Sequence, residues 1–336
     1  MNLNFYRKYS LFTLIVIGTF ALSFNPVLAK NKSKLQLWLG ELRSEALVKN
    51  ISPSTFDRAF IGFAPIKRII ELDRKQPEFT MTFKKYLNHV IPKSRISKGK
   101  IKYRENRKLL DEIGRKYRVQ PRFIVAFWGI ESSFGKHFGG FPVVHSLATL
   151  AFDGRRSKFF RGELLRALRI LNQGHISQTK MLGSWAGAMG NFQFMPSSFE
   201  NFAVDYDGDG KRDIWSNKGD AFASAANYLK KSGWRSDQTW GREVILPKGF
   251  DKNLITKNVR KNITEWQSIG VRKIGGKDLP RINMSSYLVE AYNKRSEKSG
   301  KIYLVYNNYD VTLKWNRSTF FALAVGLLAD KLKITD

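Results

Sequence analysis

The sequence predicts a mainly helical α+β protein with a small β-rich insertion, and three observations carry that reading. Apolar residues recur at three- and four-residue spacing in LQLWLGELRSEALVKN and RKLLDEIGRKY, the period of an amphipathic helix. PRFIVAFWGIESSFG, from Pro121, is apolar all round, as a fully buried helix is. From about Val244 the helical period disappears; VILPKGF, NVRKNIT and KIGGKDLP bring β-type residues and Gly/Pro turns.

In chain order the first element is a leader. MNLNFYRKYS carries Arg7 and Lys8 and no acid, LFTLIVIGTFALSF is apolar, and NPVLA ends in small residues. That layout is a secretory signal peptide, residues 1–29, cut after Ala29. The alternative is an uncleaved anchor, but the apolar run falls short of the about 20 residues a spanning helix needs. Residues 30–118 follow as an N-terminal helical subdomain, punctuated by Pro53, Pro65 and Pro77. Residues 119–235 form the core. There Pro121 sits where a first helical turn accepts proline, and Gly135 is the expected left-handed stop. FRGELLRALRIL and AFASAANYLKKSG read as two further helices. Residues 236–284 are the β-rich insertion, and 285–336 complete the core, with STFFALAVGLLADKL returning to helix.

With 336 residues, 43% of them hydrophobic, the chain can bury a large core. The formal net charge of +30 predicts attraction to polyanions: nucleic acid, anionic lipid or lipopolysaccharide, or the carboxylate-bearing peptides of cell wall. Export argues against nucleic acid. The absence of cysteine excludes a disulfide framework and a lipidated cysteine. A soluble periplasmic protein is therefore expected.

Glu131 is the sharpest chemical feature. It closes the apolar helix, where apolar surroundings and the negative helix end both disfavour its charged form. A carboxylic acid that stays protonated near neutral pH is suited to cleaving a glycosidic bond. A structural hydrogen bond from a buried glutamate to a neighbouring loop is the other reading, and residue physics leaves both open. GSWAGAMGNFQFMPSSF, from Gly183, mixes glycine with aromatic residues. It suits close approach to a sugar or a tightly packed helix–turn junction. DYDGDGKRDIWS, from Asp205, resembles a calcium loop. Asp205, Asp207 and Asp209 take positions one, three and five, Gly210 six, Lys211 the carbonyl position seven and Asp213 nine. Ser216 stands at twelve in place of the usual Glu, so Asp220 is the candidate to close the site. An Asp/Gly-rich turn without metal is the alternative.

At this point the motifs resemble MltB-type lytic murein transglycosylases. GIESSFG, LATLAFDGRR, FFRGEL, GSWAGAMGNFQFMPSSF, the Asp loop and ANYLKKSGW stand in that family's order. TFKKYLNHVIPKSRISKGK and YNNYDVTLKWNRSTFFALAVGLLAD also look like it, so the likeness runs from about residue 33 to 333. The resemblance implies a lysozyme-like helical core with a helical flanking subdomain and a small β subdomain. It implies Glu131 as the only essential acid/base, with Tyr86, Arg155, Arg156, Ser184, Gln193, Phe194 and Tyr228 lining the sugar groove. Asn316 falls on a cleft asparagine. Trp315 and Phe321 stand where the family usually has tyrosines, which keeps an aromatic surface and removes two hydroxyls. No cofactor is required; Ca2+ at the Asp205–Asp220 loop is a feature of some members. Peptidoglycan strands are the implied partner, nucleic acid is not, and a monomer is expected. Association with cell-wall synthesis or division complexes fits the class.

Most glycosidases use two carboxylates, yet no second acid accompanies Glu131 in these motifs. The implied chemistry therefore recruits the substrate: the acetamido group of N-acetylmuramic acid attacks its own anomeric carbon, and its C6 hydroxyl closes a 1,6-anhydro ring. A muramidase, in which water resolves the intermediate, is the nearest rival. A non-catalytic basic wall-binding protein and a calcium-regulated scaffold are more distant ones.

Overall fold

A computed structural model describes residues 33–75, 81–293, 295 and 297–333. The expected leader, residues 1–29, lies outside the described residues, as does Pro77. Among them the chain forms helices α1 (Lys34–Val48), α2 (Pro53–Ala59), α3 (Lys67–Arg74), α4 (Phe83–Val90), α5 (Lys93–Glu105), α6 (Arg107–Tyr117) and α7 (Pro121–Ser132). After the short strand β1 (Phe141–Pro142) come α8 (Val143–Asp153), α9 (Ser157–Asn172), β2 (Leu182–Gly183), α10 (Pro196–Phe202) and α11 (Lys218–Lys231). Then follow β3 (Gly241–Ile245), β4 (Lys261–Asn262), α12 (Ile263–Ser268), β5 (Arg272–Lys273), β6 (Ser285–Ala291) and β7 (Lys301–Val305). The chain ends on α13 (Asn307–Trp315) and α14 (Thr319–Lys331). No helix among the described residues is long and apolar enough to cross a membrane.

Local chemistry sets the helix starts. Ser33 and Gln36 form a capping box, Ser52 caps α2 with Pro53 in its first turn, and Thr82 caps α4. Pro121 opens α7, whose residues Phe123 to Gly129 are all buried. An all-apolar helix belongs at the centre of a core, and α7 packs against α5, α6, α11 and α14. Its end departs from expectation. Ser133, not Gly135, takes the left-handed cap at φ 52°, and the Phe134 N–H returns to the Trp128 carbonyl at 3.1 Å. Phe134 can follow because its ring packs edge-on against Trp128, a contact that favours the early stop.

A five-stranded antiparallel sheet, ordered β4-β6-β7-β3-β5, covers a second small core around Trp266, Leu288 and Leu304. The β-type texture was expected to stop at residue 284, but the paired strands β6 and β7 run on to Val305. Each is a short run, and the polar sequence YNKRSEKSG between them masks the alternation; pairing between the two strands supplies what local pattern lacks. Trp240 joins sheet to helices. Its indole donates to Asp330 on α14 at 2.9 Å, and a Cβ on Gly326 would lie 2.2 Å from its ring. Gly326→Ala is expected to cost about 1–3 kcal/mol of stability through overpacking. A denaturant titration reads this directly, and an unchanged midpoint would mean that the ring can shift.

Candidate active site

Glu131 lies half-buried in the last turn of α7, one turn after Phe127. Residues four apart share a helix face, so one partner can touch both. That partner is Trp315, the last residue of α13. Its ring stacks on Phe127 at 4.5 Å, and its indole N–H donates to Glu131 Oε1 at 2.8 Å. Tyr228 at 4.6 Å and Phe194 at 5.3 Å wedge the same indole from other sides. A donor held this way needs little reorganisation to keep its bond. The indole N–H thus supplies Glu131 with a hydrogen-bond donor.

The end of α7 is held from α5. Arg95 donates to Ser133 Oγ at 3.1 Å and to the Val90 carbonyl, and Lys98 donates to the Ser133 carbonyl at 3.2 Å. Two cations at a helix C-terminus answer its partial negative charge. Burial lowers the Arg95 guanidinium from its ordinary value, a shift that neighbouring Tyr86 opposes. Neither Arg95 nor Lys98 emerged as a site residue from sequence, although both lie in TFKKYLNHVIPKSRISKGK; their partner Ser133 stands 38 and 35 positions further on.

A cavity of about 440 Å³ opens at this point. Of the expected residues it gathers Tyr86, Glu131, Asn316 and Phe321, and it adds Met81, His89, Arg95 and Ser318. Among the described residues Glu131 is the one carboxylate in that lining. Trp315, Phe194 and Tyr228 stand behind it as an aromatic support; Phe194 is buried, and the Tyr228 hydroxyl donates to the Lys314 carbonyl at 2.8 Å.

The other expected groove residues have local duties. Ser184 Oγ accepts the N–H groups of Ala186 and Ala188. Gln193, at φ 50°, donates to the carbonyls of Phe138 and Gly190. Arg155 and Arg156 both grip the buried Asp73, at 2.7 and 2.5 Å. Burial alone would raise that carboxyl, but the two guanidinium groups outweigh it and hold Asp73 below its usual range. They do not line the Glu131 cavity. The glycine-rich segment packs on the protein itself: Gly190 has φ 67°, and a Cβ there would meet the Ile214 carbonyl at 2.6 Å. Between two glycine-bearing turns, buried Asn191 accepts from the Trp128 indole and donates to the carbonyls of Ile214 and Trp215. It ties α7 to the Asp loop, a role that sequence reading missed because a lone Asn carries no pattern.

In that loop, carboxylate oxygens of Asp205, Asp207 and Asp209 come within 4.8 Å of one another. Hard oxygen donors so gathered suit Ca2+. Asp220 departs from the expected ligand role. It is fully buried, and its two oxygens accept the Tyr206 and Asp213 N–H groups, each at 2.7 Å. Burial, helped by the Asp207 and Asp205 charges and opposed by those amides, pushes its carboxyl up to about 6. Asp220 braces the loop. Lys211, expected at the carbonyl position, donates its N–H to Asp209, and Ser216 at position twelve bonds Asp213.

Comparison with known proteins adds four findings. A family model described as the transglycosylase SLT domain matches residues 34–330. The membrane-bound lytic murein transglycosylase B of Escherichia coli (strain K12) is 31% identical over 257 residues, 74% of this chain and 67% of that protein. SltB3 from Pseudomonas aeruginosa, solved in complex with NAG-NAM-pentapeptide, has 44% identity and a TM-score of 0.85. The match covers 90% of this chain and 80% of that one. The Escherichia coli lytic transglycosylase Slt35, solved in complex with calcium, has 25% identity and a TM-score of 0.73, over 88% of this chain and 92% of that one. The architecture is the mainly helical, lysozyme-like one expected from sequence.

Proposed function

The chain belongs to the transglycosylase SLT domain family, and on that premise we propose that it is a lytic murein transglycosylase acting on peptidoglycan, with Glu131 as its single acid and base. The observation that carries this assignment is the cavity in whose lining, among the described residues, Glu131 is the one carboxylate. Two-carboxylate hydrolysis needs a second acid there.

In the proposed reaction, protonated Glu131 gives its proton to the oxygen linking N-acetylmuramic acid to N-acetylglucosamine. As that C1–O bond breaks, the muramoyl acetamido oxygen bonds to C1. The Glu131 carboxylate then removes the proton of the C6 hydroxyl, whose oxygen displaces the acetamido oxygen and closes the 1,6-anhydro ring. Acid and base are restored and no water is consumed. An intramolecular hydroxyl outcompetes water by proximity. Trp315 keeps the carboxylate aimed; Tyr86, Asn316 and Phe321 contact sugar, and Phe194 and Tyr228 support the indole. Ser184 and Gln193 shape the neighbouring groove loop, while Arg155 and Arg156 brace Asp73 at its margin.

A periplasmic location reached through residues 1–29 belongs to the same proposal. So do a monomeric state and the division at residues 30–118, 119–235, 236–284 and 285–336, with the sheet extending to Val305. The direct test is a suspension of purified peptidoglycan, whose turbidity should fall as soluble muropeptides appear. A suspension that stays turbid at high enzyme concentration would sink the reading.

Ca2+ at Asp205, Asp207 and Asp209 is proposed as a structural ion, relieving the crowding of these charges around Asp220. Saturating Ca2+ should raise the melting temperature by roughly 3–6 °C, and Asp205→Asn should remove the response. A melting curve indifferent to Ca2+ and to chelator would count against the site.

A further inference from the structure

We infer that the cleft between α1 and α9 is a docking surface for an anionic phospholipid membrane. The cleft, about 290 Å³, is lined by Lys49 at the end of α1 and by Lys158, Arg161, Arg166 and Arg169 of α9. Helix geometry gathers the four α9 cations. Arg161, Arg166 and Arg169 stand three, eight and eleven positions after Lys158, spacings that return to one side of a helix. Phe160, Leu164 and Ala167 hold the opposite side in the core. Nearby acids leave this charge incompletely answered. Glu45 pairs with Arg161 at 2.7 Å, and Glu200 takes both Arg166 and Arg169, at 3.2 and 2.6 Å. Buried Glu163 reaches Arg166 at 3.8 Å. Lys49 and Lys158 are exposed and enter no ion pair among the described residues.

Each of these two lysines has a bulky apolar chain neighbour turned to solvent: Val48 is 83% exposed and Phe159 51%. Leu37, eleven positions before Val48 on the same face of α1, is 54% exposed. Single exposed apolar side chains are ordinary. Set beside uncommitted cations at one cleft, they match a membrane interface, where binding grows with buried apolar area plus attraction to anionic headgroups. Among the polyanions that the net charge admits, this combination selects lipid. A soluble polyanion would answer the lysines but offer nothing to Phe159 and Val48. No residue lining the cleft also lines the Glu131 cavity, so docking does not engage the catalytic walls.

Flotation of the exported protein, from Lys30 onward, with lipid vesicles tests this. Vesicles of phosphatidylglycerol and phosphatidylcholine should carry wild-type protein up the gradient, and vesicles of phosphatidylcholine alone should not. Each cation near an anionic surface contributes about fivefold, so the double variant Lys49→Gln, Lys158→Gln should partition about 30-fold more weakly. Phe159→Ser should partition about fivefold more weakly, through lost apolar burial. Melting curves of the lysine variant and wild type should coincide, and both variants should cut peptidoglycan as wild type does. Wild-type protein that ignores the anionic vesicles, or floats equally with both kinds, would overturn the inference, as would a lysine variant that floats like wild type. Loss in the lysine variant with none in Phe159→Ser would overturn the lipid occupant and point to a soluble polyanion. Flotation needs no turnover, so protein that floats as expected but cuts nothing removes the enzyme reading alone.

Discussion

Glu131→Gln will keep the fold and lower peptidoglycan cleavage by about a thousandfold or more, the upper part of the range for a positioned acid–base group. The size follows from Glu131 being the one carboxylate among the described residues that line its cavity: one side chain must both give the proton and take it back. Glutamine keeps the shape and the Oε1 acceptor for the Trp315 indole, so melting behaviour should hardly move. Muropeptide release rates and thermal unfolding, measured on one preparation, check both halves. Residual cleavage within tenfold of wild type would mean that another group does this work.

The second large effect is at Trp315. Phenylalanine there keeps a ring among Phe127, Tyr228 and Phe194 but deletes the N–H that reaches Glu131. Freed from that bond, the carboxylate samples other rotamers, and misplacement on the ångström scale costs roughly a hundredfold in rate. Trp315→Phe should therefore cut kcat by about 10- to 100-fold with little change in KM. Trp315→Tyr restores a donor on an aromatic ring and should recover much of the loss. If both variants lower kcat equally, the indole acts through packing and not through its hydrogen bond.

Some of this site was legible in sequence and some was not, for physical reasons. The apolar run from Pro121 announces α7 because an all-round hydrophobic helix has one stable place to go. The Asp spacing announces a loop that gathers three carboxylates, since the ligand positions are local. Tyr86, Asn316 and Phe321 could be set beside Glu131 only through resemblance; no periodicity links a residue to one 184 positions away, the separation of Glu131 and Trp315. Arg95, Lys98 and Asn191 escaped because each bonds a group far away in sequence, and such bonds leave no trace in composition. Strands β6 and β7 escaped because a short strand is specified by its partner as much as by itself. The glycines of the segment from Gly183 were legible as close-approach positions, but what approaches Gly190 is the backbone at Ile214, not a ligand.

The most direct test of the central claim is mass spectrometry of the muropeptides that wild-type protein releases from purified peptidoglycan. Products ending in 1,6-anhydro-N-acetylmuramic acid, one water lighter than the hydrolysis products, are predicted. Products with reducing ends would contradict the account and make the protein a muramidase on the same scaffold.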